Sequence, residues 1–143
     1  MGPGEIDVQI IRRPLAALRE SLQVLSTRSG VSLEGLDTDP EQRWIVERGH
    51  QQCAQNALDI ATHIAASQGR EVPDYVSAID ELGRLGVLDR EFVREFRHVA
   101  GFRNELVHGY LDVDLDVLHS LLNERLGDFE SFAGHVEAYL ESL

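Results

Sequence analysis

The sequence contains no lysine, and all thirteen of its basic residues are arginines. It has a single cysteine, Cys53, which excludes an intrachain disulfide framework and a cysteine-based zinc motif. No apolar run approaches the ~20 residues needed to cross a bilayer, so no membrane partner is expected. The N-terminus lacks a basic region followed by an apolar stretch, which argues against secretion. The expected location is therefore the cytoplasm.

The charge is strongly acidic and unevenly distributed. A formal net charge of −12 argues against broad, nonspecific binding to nucleic-acid backbones, although it leaves room for a local phosphate site. Five arginines lie between residues 84 and 103, whereas residues 104–143 contain nine acidic residues and only Arg125. Because guanidinium groups suit bidentate phosphate contacts, an anion site is expected to involve the segment that ends at Arg103.

Hydrophobic periodicity predicts helices along most of the chain and no convincing strand. A first helix is predicted over residues 5–28, kinked or divided near Pro14. After a connector, "RSGVSLEGLDTD", Asp39 is the predicted N-cap of a second helix, with Pro40 at its first position. This helix is expected to run to about Ser67, with a wide apolar stripe that includes Ile60 and Ile64.

Three more helices are predicted in the second half. A short third helix covers "YVSAIDELGRLG", Asp89 is expected to cap the fourth, and Asp112 or Asp114 begins a fifth that runs nearly to Leu143. Residues 1–143 are therefore expected to form one domain, an all-α antiparallel bundle of four to five helices. Residues 1–4 are expected to be disordered or to come from an expression vector.

The stretch "RNELVHGY", residues 103–110, places polar side chains on the predicted fourth helix. At about 100° per residue, the apolar positions form one stripe centred near Phe92. The other members of that stripe are Phe96, Val99, Ala100, Leu106 and Val107. Arg103 and Tyr110 also lie in the middle of the stripe, at about 20° and 0°.

Three polar residues of this predicted helix lie along one border of the stripe. Arg97, Asn104 and His108 cluster at about 120° to 160° from its centre. Asn104 precedes His108 by four residues, so its amide can orient the imidazole. For His108 taken alone, a packed or capping role is the commoner outcome.

Arg103 on an apolar face needs anionic or hydrogen-bonding partners, because an unpaired buried charge is costly. The residues leave three interpretations open. The arginine pairs with a buried acid such as Glu47 or Asp59, it anchors a subunit interface, or it binds a phosphate.

No metal or cofactor is expected. His50 and His63 are thirteen residues apart on the second helix, too far for a shared ion, and the remaining histidines show no recognised ligand spacing. Three alternating aspartates resemble a calcium loop but lack its glycine and distal glutamate, so helix capping is the better interpretation. They are Asp112, Asp114 and Asp116.

The pattern Arg, four residues, His, one residue, Tyr in "RNELVHGY" resembles the motif of HepT-like toxins of the HEPN superfamily. The resemblance extends through "RWIVERGHQQCAQNALDIATHIAA" and from "PDYVSAIDELG" into the C-terminal tail, and covers roughly residues 5–143. It implies an all-helical homodimer with the Arg and His of both subunits at a cleft, acting as a metal-independent endoribonuclease on tRNA or mRNA. It also implies a type VII-like toxin–antitoxin pair, in which an MntA-like nucleotidyltransferase antitoxin transfers AMP to the motif tyrosine.

The resemblance assigns a role to each motif residue. Arg103 would bind the scissile phosphate and stabilise its developing charge, and His108 would act as general base or acid. Asn104 would orient His108 or contact the phosphate, with Arg97 as a supporting phosphate contact. Tyr110 would receive the AMP.

Two other functions are compatible with the sequence. The chain could be a non-catalytic helical partner subunit of a minimal nucleotidyltransferase, which tolerates the acidic charge equally well. It could also be a structural dimer whose motif only supplies interface hydrogen bonds.

Overall fold

The computed structural model describes residues 7–101 and 114–143. Within those ranges the chain forms seven α-helices and no β-strand, which confirms the predicted all-α class. They are α1 (Val8–Ser26), α2 (Leu33–Thr38), α3 (Pro40–Ser67), α4 (Tyr75–Arg84), α5 (Arg90–Phe96), α6 (Leu115–Glu124) and α7 (Leu126–Glu141). Residues 98–101 are also helical. In the described ranges no helix is long and apolar enough to span a membrane.

The long helix α3 lies at the centre of the bundle. α1 and α4 pack along it, α7 packs on α1, and α6 contacts α2, α3 and α7. The pairing of α1 with α3 is antiparallel, because Leu25 meets Gly49 while the earlier Leu18 lies against the later Cys53. The apolar stripe predicted for α3 forms the middle of the core, in which Ile60 and Ile64 are fully buried.

Aspartate and serine caps set where most helices begin. The Asp39 carboxylate accepts the Gln42 N–H at 3.2 Å with Pro40 at the start of α3, as predicted. Asp114 caps α6 by accepting the N–H groups of Asp116 and Val117 at 2.9 and 3.3 Å. Each cap satisfies backbone donors that the first helical turn leaves unpaired. The capping interpretation of Asp114 is therefore confirmed.

Asp89 stands at the N-cap of α5 but does not cap it with its side chain. Its Oδ2 lies 3.3 Å from Nε2 of His135 on α7 instead. The predicted start of the fourth helix is therefore confirmed, while the carboxylate links two helices rather than satisfying its own first turn.

The first half of the chain departs from prediction in two places. The connector contains a six-residue helix, α2, because the Ser32 hydroxyl accepts the Gly35 N–H at 3.0 Å and Leu36 becomes fully buried. Helix α1 begins at Val8 and ends at Ser26, within the predicted 5–28, and continues through Pro14 without being divided.

The predicted fourth helix is interrupted at Arg97, which is a turn residue between α5 and residues 98–101. At this break the imidazole Nδ1 of His98 lies against the carbonyl oxygen of Glu95. In an unbroken α-helix that oxygen would accept the N–H of Val99. Phe96 and Val99 are nevertheless buried, as predicted, whereas Phe92 is only partly buried. The angular positions predicted from Phe92 assume one unbroken helix and therefore do not apply beyond Arg97.

The predicted fifth helix is two helices, α6 and α7, that meet at Arg125. Arg125 has a non-helical φ of −121°, and its Nε donates to Asp128 Oδ2 at 2.8 Å across the break. The break lets α6 reach the α1–α2 loop, where Asn123 accepts the Gly30 N–H at 2.6 Å and donates to the Val31 carbonyl at 3.2 Å. It lets α7 lie along α1, where Glu137 pairs with Arg12 at 2.9 Å.

Stacked rings anchor α5 to α7. Phe96 is fully buried, with its centroid 4.9 Å from Phe132 in a stacked arrangement and 5.9 Å from Phe129 edge-on. Phe92 continues the stack at 5.1 Å from Phe96 and 5.0 Å from His135. Such pairs contribute about 0.5–1.5 kcal/mol beyond area burial. They hold the chain firmly up to the residues that precede the motif.

Candidate active site

Four of the five candidate site residues lie outside the described residues. Arg103, Asn104, His108 and Tyr110 all fall in residues 102–113, and so do Leu106 and Val107 of the predicted apolar stripe. Their assigned roles therefore stay predictions. The structure describes the two flanks of this segment, which enters from residues 98–101 and leaves at Asp114.

Arg97 is the candidate that the structure places. It lies at the turn after α5, and its Nε is 3.2 Å from Oδ1 of Asp80 on α4. The arginine side chain is 52% exposed. An exposed pair of this kind is worth about 0–1 kcal/mol, so a phosphate can compete for the guanidinium at little cost. The pair shows that Arg97 is held towards α4.

A three-residue cluster stands at the entrance to the motif segment. Asp128 on α7 accepts from Arg125 Nε at 2.8 Å and lies 3.8 Å from His98 Nε2. Arg125 Nη2 approaches His98 Nδ1 at 3.5 Å. Since that Nδ1 donates its hydrogen to the Glu95 carbonyl, it has no lone pair to accept another. Asp128 therefore fixes Arg125 beside the imidazole of His98.

This cluster borders an open groove of about 490 Å³. Val117 and Leu121 of α6 supply its apolar surface, and His98 and Arg125 supply a planar imidazole and a planar guanidinium. Asp116 and Glu124 add carboxylates, and Ser120 donates to Glu124 at 3.0 Å. The groove thus takes residues from before and after the segment that carries Arg103 and His108.

Sequence reasoning missed this cluster as a unit. In the sequence, His98 is one of the histidines without metal-ligand spacing, and Arg125 is the single basic residue after Arg103. No local spacing signals their contact, because residues 98 and 125 are brought together by the packing of α7 on the ring stack.

The two acids considered as partners of Arg103 have neighbours of their own. Asp59 accepts from Gln55 Nε2 at 2.8 Å. Burial raises the pKa of Glu47, and the nearby Arg43 partly offsets this. Whether either acid also contacts Arg103 falls outside the described residues, so all three interpretations of that arginine stay open.

His50 is a buried histidine with a structural environment. It is fully buried, and its Nδ1 donates to the Val46 carbonyl at 3.1 Å. Burial lowers its pKa, while hydrogen bonds to the backbone of Val46 and Leu121 oppose that shift. The ring thereby joins α3 to α6, the helix that forms one side of the groove.

Cys53 is buried in the core. Burial raises the pKa of its thiol to about 12, so the thiol stays protonated, in keeping with a packing role. Across residues 7–101 and 114–143, no group of three or more His, Cys, Asp or Glu side chains is placed to hold a metal ion.

The model of the family described as "Ribonuclease HepT-like" matches residues 17–136 of the chain. This chain belongs to that family. The matched region contains the whole of "RNELVHGY" and both flanks of the groove. The resemblance inferred from the motif is therefore confirmed over residues 17–136.

Two nuclease relatives are similar to this HepT-like chain. It is 29% identical over 140 residues to the tRNA nuclease HepT of Aphanizomenon flos-aquae, covering 96% of this chain and 95% of the relative. It is 29% identical over 91 residues to the mRNA nuclease HepT of Shewanella oneidensis, covering 62% and 67% of the two chains.

Solved structures share the fold. A toxin–antitoxin complex with AMP-PNP contains a chain with a TM-score of 0.80 and 22% identity, covering 91% of this chain and 98% of that one. The tri-AMPylated HEPN toxin of Shewanella oneidensis, solved with its MNT antitoxin, has a TM-score of 0.79 and 23% identity, covering 90% of this chain and 97% of that one. YutE, a cytosolic Bacillus subtilis protein of unknown function, has a TM-score of 0.83 and 19% identity, covering 96% of this chain and 92% of that one.

Proposed function

We propose that this HepT-like chain is the ribonuclease toxin of a toxin–antitoxin pair, a metal-independent endoribonuclease that uses Arg103 and His108. The observation that carries the proposal is the ribonuclease family match over residues 17–136, which spans an intact Arg-x4-His-x-Tyr motif. Relatives named as tRNA and mRNA nucleases support RNA as the substrate.

In the proposed reaction the RNA 2′-hydroxyl attacks the adjacent phosphorus. His108 of one subunit takes the hydroxyl proton, the 2′-O–P bond forms, the P–O5′ bond breaks, and the leaving oxygen receives a proton from the imidazolium of the other subunit. Arg103 stabilises the extra negative charge on the phosphoryl oxygens, and Asn104 orients His108. Arg97 leaves Asp80 to assist at the phosphate. This division of labour requires a homodimer.

Control by a nucleotidyltransferase antitoxin completes the proposal. The partner resembles MntA and transfers AMP from ATP to the Tyr110 oxygen, with release of pyrophosphate. The new phosphate diester then pairs with Arg103 and the nucleotide blocks RNA entry. The complexes of similar fold, one of them with an AMPylated toxin, support this assignment. We place the pair in the cytoplasm.

Expression in cells without the antitoxin tests the proposal. Wild type should arrest growth and fragment RNA, whereas His108→Ala should do neither. His63→Ala is the matched control, because His63 is an exposed histidine on α3. Intact RNA with wild type, or equal damage with His108→Ala, would overturn the proposed function.

A second candidate function is a non-catalytic helical partner subunit of a minimal nucleotidyltransferase. The net charge of −12 favours it, because such a subunit has no need to attract an RNA backbone. It predicts a stable complex with the nucleotidyltransferase and unchanged RNA in the expression experiment.

A further inference from the structure

The groove of about 490 Å³ is lined by residues that lie close in sequence to both ends of the motif segment. His98 comes five residues before Arg103, and Asp116 and Val117 come shortly after the segment ends. Five residues of chain span at most about 18 Å, which is the largest Cα–Cα distance that the chain allows between His98 and Arg103 and amounts to a few nucleotides of RNA. Neither the motif nor the roles assigned to it use the groove.

The groove is not suited to a phosphate. Asp116 and Glu124 both line it, and Asp128 already neutralises Arg125 at 2.8 Å. A phosphate entering there would meet two carboxylates without a free guanidinium.

A nucleobase matches the same set of groups better. Unpaired RNA bases stack on imidazole and guanidinium planes and on apolar side chains, which His98, Arg125 and the 36%-exposed Val117 provide. Carboxylates accept hydrogen bonds from exocyclic amino groups of bases, as acidic side chains do from cytosine. Asp128 keeps the stacking guanidinium of Arg125 in place through its 2.8 Å hydrogen bond, which lowers the entropy lost on binding.

Building on the proposed ribonuclease function, we propose that this groove binds the base next to the scissile phosphate in single-stranded RNA. Adenine, cytosine and guanine each carry an exocyclic amino group, and uracil has none. The carboxylates of Asp116 and Glu124 therefore make the groove select these three bases over uracil. The groove thereby sets part of the cleavage specificity.

Two measurements test this. The first is the cleavage rate of short single-stranded oligoribonucleotides that differ only in the base beside one mapped cleavage position. The second is the affinity of the non-cleaving His108→Ala protein for labelled oligo(A), oligo(C) and oligo(U), followed by fluorescence anisotropy. Each is repeated with Asp116→Asn and Glu124→Gln combined, which removes two negative charges while keeping side-chain size.

Wild type should favour the amino-bearing bases over uracil by about tenfold, and the double variant should lose most of that ratio. An amide can donate to uracil O4, so the variant's preference shifts towards uracil. Removing negative charge also raises affinity for every RNA, but this general effect cancels in the ratio. Glu130→Gln changes an exposed position on α7, serves as the control and should leave the ratio unchanged.

The outcomes separate the two proposals. If wild type cleaves RNA and the double variant keeps the wild-type ratio, the groove proposal is overturned and the ribonuclease function stands. If RNA is not cleaved but binding depends on the base and on the two carboxylates, the groove binds bases, while the ribonuclease function and the role of the groove in cleavage specificity are overturned. If neither cleavage nor base-dependent binding is seen, both fail. Unchanged thermal unfolding of the double variant confirms that folding is intact.

Discussion

His98 and Arg125 stand 27 residues apart in the chain, yet His98 Nδ1 and Arg125 Nη2 are 3.5 Å apart. Asp128 holds Arg125 at 2.8 Å, and the Phe96–Phe132 stack joins α5 to α7. The residues that lead into the motif segment therefore pack against α7. This relationship makes the residues around the motif as testable as the motif itself.

The proposed catalytic pair, Arg103 and His108, gives the first prediction. With purified protein, Arg103→Ala and His108→Ala should each lower the RNA cleavage rate by at least about 100-fold, because each removes charge stabilisation or proton transfer. Cleavage by wild type should persist in EDTA. Far-ultraviolet circular dichroism and sedimentation should show unchanged helicity and assembly, and loss of wild-type cleavage in EDTA would refute the metal-free mechanism.

The second prediction concerns Tyr110. After co-expression with the nucleotidyltransferase, intact-mass spectrometry should show one or more added AMP units on Tyr110 and loss of RNA cleavage. Tyr110→Phe should keep most of its activity and escape neutralisation by modification. Tyr75→Phe and Tyr139→Phe are the matched controls and should still be modified. Mapping of the added mass to either of those tyrosines, or normal cleavage by modified protein, would contradict the mechanism.

The third prediction concerns assembly. The proposed cleft needs Arg103 and His108 of two subunits, so the protein should sediment as a homodimer at micromolar concentration. Because the proposed reaction uses His108 of both subunits, an excess of His108→Ala mixed with wild type should form heterodimers and lower cleavage below that of the same amount of wild type alone. A monomer by sedimentation would remove the subunit-interface interpretation of Arg103.

The fourth prediction is a pH dependence of stability that His50 causes. Burial lowers the folded-state pKa of His50 below the 6.5 of an unperturbed histidine, so the unfolded chain binds the proton more readily. The stabilising contribution of neutral His50 is then complete above pH 6.5 and is lost as the pH falls from there through the folded-state pKa.

Urea unfolding from pH 7.5 to pH 5 measures this effect. The free energy of unfolding of wild type should fall with acidification more steeply than that of His50→Gln, which lacks the titrating ring. The difference between the two proteins isolates His50 from carboxylates such as Glu47, whose raised pKa acts in the opposite sense. His63→Gln, at an exposed position, should follow wild type. Parallel curves for wild type and His50→Gln would show that His50 does not cause the dependence.

The fifth prediction concerns the close approach of α1 and α3. A Cβ at Gly49 would lie 2.5 Å from Leu25 Cδ2, so Gly49→Ala should force the two helices apart and destabilise the protein by about 1–3 kcal/mol. Gly134→Ala on α7 is the matched control. A Cβ there meets nothing within 4 Å, and the change should stabilise by up to about 1 kcal/mol. Equal unfolding midpoints for the two variants would disprove the packing argument.

The sequence by itself determined the helical class, the caps at Asp39 and Asp114, and the apolar stripe of α3. These depend on local chemistry: a carboxylate beside free N–H groups and an apolar period that matches the α-helix. The motif from Arg103 to Tyr110 is likewise a local pattern, and it predicted the family that the comparison of residues 17–136 then confirmed.

Only the tertiary structure decided where the long helices break and what lies beside the motif. The long helices break at Arg97 and Arg125, beside side-chain contacts at Glu95 and Asp128, and the short α2 forms where Leu36 becomes buried. Helical periodicity carries no information about such contacts, because the groups that make them are side chains or lie in distant segments. The groove shared by His98, α6 and Arg125 arises in the same way, since the packing of α7 against Phe96 joins residues that no sequence spacing connects.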